Sequence, residues 1–595
     1  MIKDLKRLWP HIIPKRRKQF AAILVLMVFA SFAEVVSIGA VLPFLGVLTV
    51  PEQLFEHRLA QPLIKFLQLT EPKQLLLPFT ILFSIAALAS GAMRIVLLWA
   101  QTRLSHATGA DFSINIYRRT LYQPYSVHVA RNSSSVIAGI AGKANAVVGS
   151  TILPILMIIS SGLMLVTILI ALLAIDPFVA LSAFGGFGAI YAVVITMTRH
   201  RMKSYSQTIS REQNMVIKAL QEGLGGIRDV LIDGTQTAYC NSYRKADLSL
   251  RRARSNVSII SMIPRYGIEA LGMILIAVLA YTLAERESGI AGAIPVLGAL
   301  ALGAQRLLPV LQQGYSSFSS MRGGRAELKD ALDLLEQSLP AYADKPFPEP
   351  IPFNSHIRLK NLSFRYTNDM PLVLQQIDLT ITKGSRVGFI GTTGSGKSTL
   401  LDLIMALLYS TKGCLMIDDV EITEKNHREW QAHISHVPQA IFLADTTIAE
   451  NIAFGILTEE VDHERVRKAA RQAHMADTIE SWEMQYETMV GERGVRLSGG
   501  QRQRIGIARA LYKQADVIVF DEATSALDNE TETAVMRAVD NISKDITVLI
   551  VAHRVTTLKS CDNIIELTHG EISRSGTYQG IIGNIDKLDS KREAI

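Results

Sequence analysis

The sequence predicts a two-part chain, six membrane-spanning α-helices followed by an α/β domain, and three observations carry that prediction. Hydropathy is divided along the 595 residues, with long apolar stretches in the first half and mixed, charged sequence in the second. A glycine-rich stretch, Gly391-Thr392-Thr393-Gly394-Ser395-Gly396-Lys397-Ser398-Thr399, stands between the apolar run Val387 to Ile390 and apolar residues at helical spacing, Leu400, Leu401, Leu403, Ile404, Leu407 and Leu408. That order reads as strand, loop and helix. A second apolar run, Val517 to Phe520, ends on two adjacent carboxylates, Asp521 and Glu522. A chain of this length exceeds what one core can organise.

Taken in order, Met1 to Lys18 carries Trp9 and the basic cluster Lys15-Arg16-Arg17-Lys18 against a single acid, Asp4. It reads as an interfacial cytoplasmic segment, because the apolar run after it is too long for a signal-peptide core. Spans are expected near Phe20 to Leu48, Leu75 to Ala100, Thr151 to Ile175, Phe178 to Thr198, Ile259 to Leu283 and Gly289 to Leu311. Each approaches the roughly 20 residues that a bilayer crossing needs. Between the first two, Leu54, Phe55, Leu59, Leu63, Phe66 and Leu67 suggest one amphipathic helix, lying on the outer membrane surface or packed on the spans. The long loops 101–150 and 199–258 are rich in Lys and Arg, whereas the short turns at Asp176-Pro177 and Glu285-Arg286-Glu287 are not. The long loops and both ends of this half are therefore expected on the cytoplasmic side, with the spans continuing as helices beyond the bilayer.

Glu34, Arg94, Arg265, Glu269 and Arg306 fall within or at the edges of these spans. A charge at the bilayer centre costs about 2.5–3.5 kcal/mol on the insertion scale, so a central one should face a cavity or a partner. Interfacial arginines that snorkel are the alternative. The expected division is a membrane domain over 1–330, a linker over 331–352 marked by Lys345-Pro346-Phe347-Pro348-Glu349-Pro350, and a soluble domain over 353–595. The net charge of +7 gathers beside apolar spans, which favours an anionic membrane surface over nucleic acid. Cys240, Cys414 and Cys561 are too far apart for a metal or redox spacing.

Gly391 to Ser398 has the form Gly-x-x-x-x-Gly-Lys-Ser, in which glycines let backbone N–H groups wrap a phosphate. Lys397 would reach the β- and γ-phosphates of ATP, and the Ser398 hydroxyl would ligate Mg²⁺. Asp521 would hold the same ion directly or through water, and Glu522 would polarise the attacking water. Tyr366 after an alternating strand could stack on adenine, or be only a half-buried strand residue. Gln439 by itself reads as a surface glutamine, and His553, delivered by the apolar strand Val548 to Ala552, could contact a γ-phosphate.

Leu497-Ser498-Gly499-Gly500-Gln501 follows at the expected place, and with it nearly the full length resembles an ATP-binding cassette (ABC) exporter. The resemblance implies type IV ABC exporter architecture, ATP and Mg²⁺ as cofactors, and a homodimer in which two cassettes sandwich two ATP molecules. It makes Tyr366 the adenine-stacking aromatic, Gln439 a Mg²⁺ contact coupled to the membrane domain, Ser498 to Gln501 the signature, Asp528 part of the loop after the catalytic Glu522, and His553 the switch histidine. Within the exporters, Ala33-Glu34, Leu42-Pro43-Phe44, Pro264-Arg265-Tyr266 and Arg306-Leu307-Leu308-Pro309 resemble bacterial flippases of lipid-linked oligosaccharides. That narrower resemblance implies a bacterial cytoplasmic-membrane location and places Arg94, Arg265 and Arg306 around a cavity for a lipid-linked glycan. An exporter of simple lipid, drug or peptide is the neighbouring reading. A soluble cassette ATPase of the DNA-repair kind shares the signature but not the apolar spans.

Overall fold

The computed structural model describes residues 2–581, except 50, 58–59, 133–135, 176, 285–288, 523–531, 534–544 and 553–554. The chain forms two compact units: 1–123 with 130–340, and 124–129 with 341–595.

Six helices of 23 residues or more build the first unit among the described residues: α1 (Pro14–Gly39), α2 (Leu76–Leu121), α3 (Leu153–Ile175), α4 (Pro177–Gly225), α5 (Gln236–Ala284) and α6 (Gly289–Gly323). Pro14 opens α1 at a position where its missing N–H costs nothing. α1 is inside out by the standards of a water-soluble helix. Its buried face carries Ser31, Glu34 and Ser37 among Ile23, Met27, Ala30 and Ile38, while the large apolar Leu24, Val25, Val28, Phe29 and Phe32 point outward. That inversion suits a helix whose exposed side meets hydrocarbon. Among the described residues three helical stretches, Pro14–Leu48, Pro72–Leu121 and Ala144–Ala171, are long and apolar enough to cross a membrane. α4, α5 and α6 occupy the positions of the other three expected spans. At 1.5 Å per residue the 46 residues of α2 reach about 70 Å, more than twice a bilayer's hydrocarbon core.

The single helix expected between the first two spans is instead two short ones, Pro51–Glu56 and Gln61–Leu67. Leu54 and Phe55 turn inward with Ile64 onto Val47, Leu75 and Phe79, whereas Phe66 is 83% exposed. The apolar residues serve two directions, so one straight amphipathic stripe cannot hold them. A further helix, α7 (Arg325–Leu335), packs Leu328, Leu332 and Leu335 against Phe112, Ile116, Val147 and Ile152.

The second unit holds two sheets. β1 (His356–Phe364), β2 (Leu374–Thr382), β4 (Lys412–Ile417) and β5 (Val420–Glu421) form an antiparallel sheet in the order β2-β1-β4-β5. The other runs β10-β9-β3-β8-β7-β6, from β3 (Arg386–Ile390), β6 (Ile434–Val437), β7 (Val517–Asp521), β8 (Thr547–Val551), β9 (Asn563–Thr568) and β10 (Glu571–Gly576). All its pairings are parallel except the β9–β10 hairpin. Covered on both faces, β7 and β8 read as unbroken apolar runs. Alternate residues enter opposite cores, Ile518, Phe520, Val548 and Ile550 on one side and Val517, Val519, Leu549 and Val551 on the other.

Candidate nucleotide site and membrane cavities

The parallel strands end at one edge of their sheet, and the side chains singled out in the sequence gather there. β3 runs into the glycine loop, and α8 (Lys397–Ile404) starts directly after it, with its far end held by the buried Trp430, whose Nε1–H donates to Ile404 O at 2.7 Å. Gly391 has φ +144°, and a Cβ there would meet Leu567 O at 2.2 Å. Gly396 has φ +101°, and its Cβ would meet Leu374 Cδ2 at 2.7 Å. No described residue lies within 4 Å of a Cβ built on Gly394, so among the described residues the loop is closed toward the sheet and open on its other side. Thr392 and Thr393 are exposed on that open side, and the buried Ser395 hydroxyl has no hydrogen-bond partner among the described residues. Lys397 is buried, its ammonium donating to Gly391 O at 2.8 Å and Thr392 O at 3.1 Å. Its charge is thereby held inside the loop.

Ser398 Oγ donates to Asp521 Oδ1 at 3.4 Å across the gap between α8 and β7. Burial pushes the Asp521 carboxyl above its ordinary range, neighbouring Glu522 adds to this, and Ser398 and Lys397 oppose it. Glu522 follows with φ +51°, a left-handed backbone that is uncommon for a residue with a Cβ, and its N–H donates to Val551 O at 3.0 Å. Gln439, two residues beyond β6, donates from Nε2 to Glu522 Oε2 at 2.6 Å. Tyr366 stands edge-on to Phe364 with ring centroids 5.0 Å apart, and its hydroxyl lies 3.0 Å from Thr399 Oγ1. Ser398 and Asp521 are hard oxygen donors in a region of surplus negative charge, a set that fits Mg²⁺. Among the described residues no cluster of three or more His, Cys, Asp or Glu could hold a metal alone.

The signature stretch caps a helix. Ser498 is the N-cap of α9 (Gly499–Lys513): its Oγ accepts from Gln501 N at 3.2 Å, and Gln501 Oε1 accepts from Ser498 N at 2.8 Å. Ser498 keeps its own hydroxyl proton to donate, with the N–H groups of Gly499 and Gly500 beside it in the first turn. Asp528 and His553 lie outside the described residues.

Asp402, which sequence reasoning passes over, sits one turn after Ser398. Burial, helped by Asp521, pushes its pKa up to about 6. It is the single charged residue within Leu400 to Leu408, a signal that was present in the sequence. Tyr125, in the segment 124–129, feels both Asp402 and Tyr366, and its phenol is raised chiefly by burial.

In the membrane unit, Glu34 is fully buried, accepts from Ser90 Oγ at 2.6 Å and is ion-paired with Arg94. Arg94 lines a cavity of about 630 Å³. Arg265 donates from Nε to Glu269 Oε1 at 2.7 Å and lines a second cavity of about 520 Å³. Gln305, Pro309 and Gln313, spaced one helical turn apart on α6, border both. Arg306 is on α6, and its side chain lies outside the described part.

Fold and site together define a membrane protein that carries a nucleotide-binding cassette. The chain belongs to the ABC transporter family: the model of the ABC transporter transmembrane region matches residues 18–288, and the ABC transporter model matches residues 374–525. The fold is that of a type IV ABC exporter. A solved bacterial Atm1-family ABC exporter with ATP bound superposes with a TM-score of 0.78 at 20% identity, over 96% of this chain and 97% of that one. The chain is 33% identical over 387 residues to a protein of Chromohalobacter salexigens named ATP-dependent lipid A-core flippase, covering 65% of this chain and 66% of that protein. A protein of the same name from Nitrosococcus oceani is 32% identical, covering 66% of this chain and 65% of its own length. One from Haemophilus influenzae is 27% identical over 78% of this chain and 79% of its own. The chain thus spans about two thirds of the first two relatives and more of the third.

Proposed function

We propose that the chain is one subunit of a homodimeric, ATP-driven flippase that moves a lipid-linked oligosaccharide or related glycolipid across the cytoplasmic membrane of a bacterium. The observation that carries the reaction is the meeting of Lys397, Ser398, Gln439, Asp521 and Glu522 at one sheet edge. The relatives named for flipping a lipid support the class of cargo.

In this reading Lys397 gives up its two carbonyl partners for phosphate oxygens, and the loop N–H groups hold the anion. Ser398, Asp521 and Gln439 would hold Mg²⁺, which when bound draws charge from the phosphoryl oxygens. Glu522 accepts the proton of the attacking water, and the Gln439 amide helps to orient its carboxylate. Tyr366 offers its ring to adenine, while Asp528 and His553 keep the roles that the resemblance gives them. Ser498 and the N–H groups of Gly499, Gly500 and Gln501 complete the partner subunit's site. One chain with an intact loop, Glu522 and an unbroken signature makes the two composite sites alike.

Glu522→Gln should keep ATP binding and lower hydrolysis at least 100-fold, and equal turnover would remove the assignment. For cargo, Arg265→Ala with Arg306→Ala should abolish flipping of a polyprenyl-pyrophosphate glycan per folded dimer in proteoliposomes. Unchanged flipping would sink the pyrophosphate role. Stimulation of ATPase by a simple lipid, a drug or a peptide in its place would favour the neighbouring cargo reading.

A further inference from the structure

The cavity beside Arg94 has chemistry that its arginine alone does not explain. Its polar lining is Ser31, Arg94, Gln101, Ser160, Gln305 and Gln313: two hydroxyls, three amides and one guanidinium. The guanidinium is already answered by Glu34, itself fully buried and held by Ser90. Charge in this part of the wall is therefore close to balanced. Two groups on this wall remain unanswered among the described residues, the Nε of Arg94 outside its ion pair and an amide. Gln101 is 3% exposed, and its Nε2 has no hydrogen-bond partner among the described residues. A buried amide donor without an acceptor is unfavourable unless something occupying the cavity supplies one.

Amides and hydroxyls each donate and accept, so a ring of them matches vicinal sugar hydroxyls, which also do both. Phosphate oxygens only accept and would seek an uncommitted cation. Arg265 in the neighbouring cavity is closer to that: it is 60% exposed and, among the described residues, paired with Glu269, one turn away on its own helix. An exposed pair at that spacing is easily exchanged.

We propose that the cavity beside Arg94 is the glycan subsite, in which Gln101, Gln305 and Gln313 read sugar hydroxyls and the Glu34–Arg94 pair is a fixed polar wall. The phosphate is left to the cavity of Arg265, across the shared residues of α6. The proposal rests on the lipid-linked glycan reading above and divides its recognition between two cavities.

The test uses the full-length protein in nanodiscs and two probes, a polyprenyl pyrophosphate carrying a disaccharide and the same lipid without sugar. Gln101→Leu combined with Gln313→Leu should weaken binding of the glycosylated probe about tenfold or more while leaving the bare probe within about twofold, from the loss of two hydrogen bonds. Arg265→Ala should weaken both probes alike. Thermal unfolding of each variant reports folding. If the double variant does not fold, Gln313→Leu alone carries the comparison, with an expected loss of about threefold or more. Equal loss for both probes, or no loss for the glycosylated one, overturns the subsite while the flippase reading stands. A wild-type protein that binds neither probe overturns both.

Discussion

Replacing Ser498 with aspartate separates two jobs that one hydroxyl holds. As N-cap of α9, Ser498 accepts from Gln501 N, and Gln501 returns the bond to Ser498 N. Aspartate caps as well as serine, and its charge suits the positive end of the helix, so Ser498→Asp should unfold within about 0.5 kcal/mol of wild type. Alanine loses the acceptor. Ser498→Ala should cost about 1 kcal/mol, a fall in unfolding midpoint of about 2–4 °C for a unit the size of the cassette. Phosphate reverses the order of the two variants. Either change removes the O–H that would donate to a γ-phosphate, a charge-assisted bond worth about 1.5–3 kcal/mol, which is roughly 10- to 150-fold in turnover. Aspartate adds repulsion and should fall further. Differential scanning fluorimetry and phosphate release, run on both variants at matched dimer concentration, give the comparison. An Asp variant that hydrolyses ATP at the wild-type rate would refute the phosphate contact, and one as unstable as the Ala variant would refute the cap.

Gly391→Ala should abolish binding of a fluorescent ATP analogue, because its Cβ would stand 2.2 Å from Leu567 O at φ +144°. Retained affinity would show that β3 and β9 can part at no cost. For Asp402, pushed up to about 6, the ionised form is penalised in the fold, so stability falls as pH rises from the ordinary value of 3.8 through 6. Asp402→Asn should therefore stabilise the nucleotide-free, Mg²⁺-free protein at pH 8 by about 1–3 kcal/mol after allowance for partial solvation, and by only about half as much at pH 5, where part of the penalty is already lifted. A gain of equal size at both values would sink the argument. In detergent, Glu34→Ala should destabilise the membrane unit by about 3–5 kcal/mol by stranding Arg94, and adding Arg94→Ala should recover part of that loss. Strict additivity in the cycle would mean that the pair is not coupled.

The strand–loop–helix of the phosphate loop is readable because Gly391 and Gly396 meet a local requirement: only a residue without Cβ fits against Leu567 or Leu374. β7 and β8 are readable because burial on both faces demands unbroken apolar runs. Six long helices are readable from length and hydropathy. What the sequence hides is set by packing between distant residues. Glu34 and Arg94 each stand out as charges in apolar stretches, but their pairing depends on how α1 lies along α2. Gln101 looks like an unremarkable polar residue at a span end, and only the fold shows its amide without an acceptor. The break in the outer segment escapes an amphipathic reading because its apolar residues turn in different directions. Gln439 reads as a surface residue until β6 and β7 lie side by side and bring it to Glu522.

The segment 124–129 belongs by its contacts to the cassette unit, although more than 200 residues of membrane-unit sequence separate it from the rest of that unit. Modularity in this protein is therefore not a matter of cutting at a linker. A cassette severed before Ala341 would leave behind six residues of its own compact body, and the surface they cover around Tyr125 would be laid bare to water. The same arrangement makes the polypeptide a tether. Residues 123 and 130 both continue into the membrane unit, so the cassette is fastened there by two strands of chain at this point as well as by the linker. Displacing the cassette must either drag this anchored loop or tear six residues from their packing, and the membrane helices are pulled through covalent bonds in the first case.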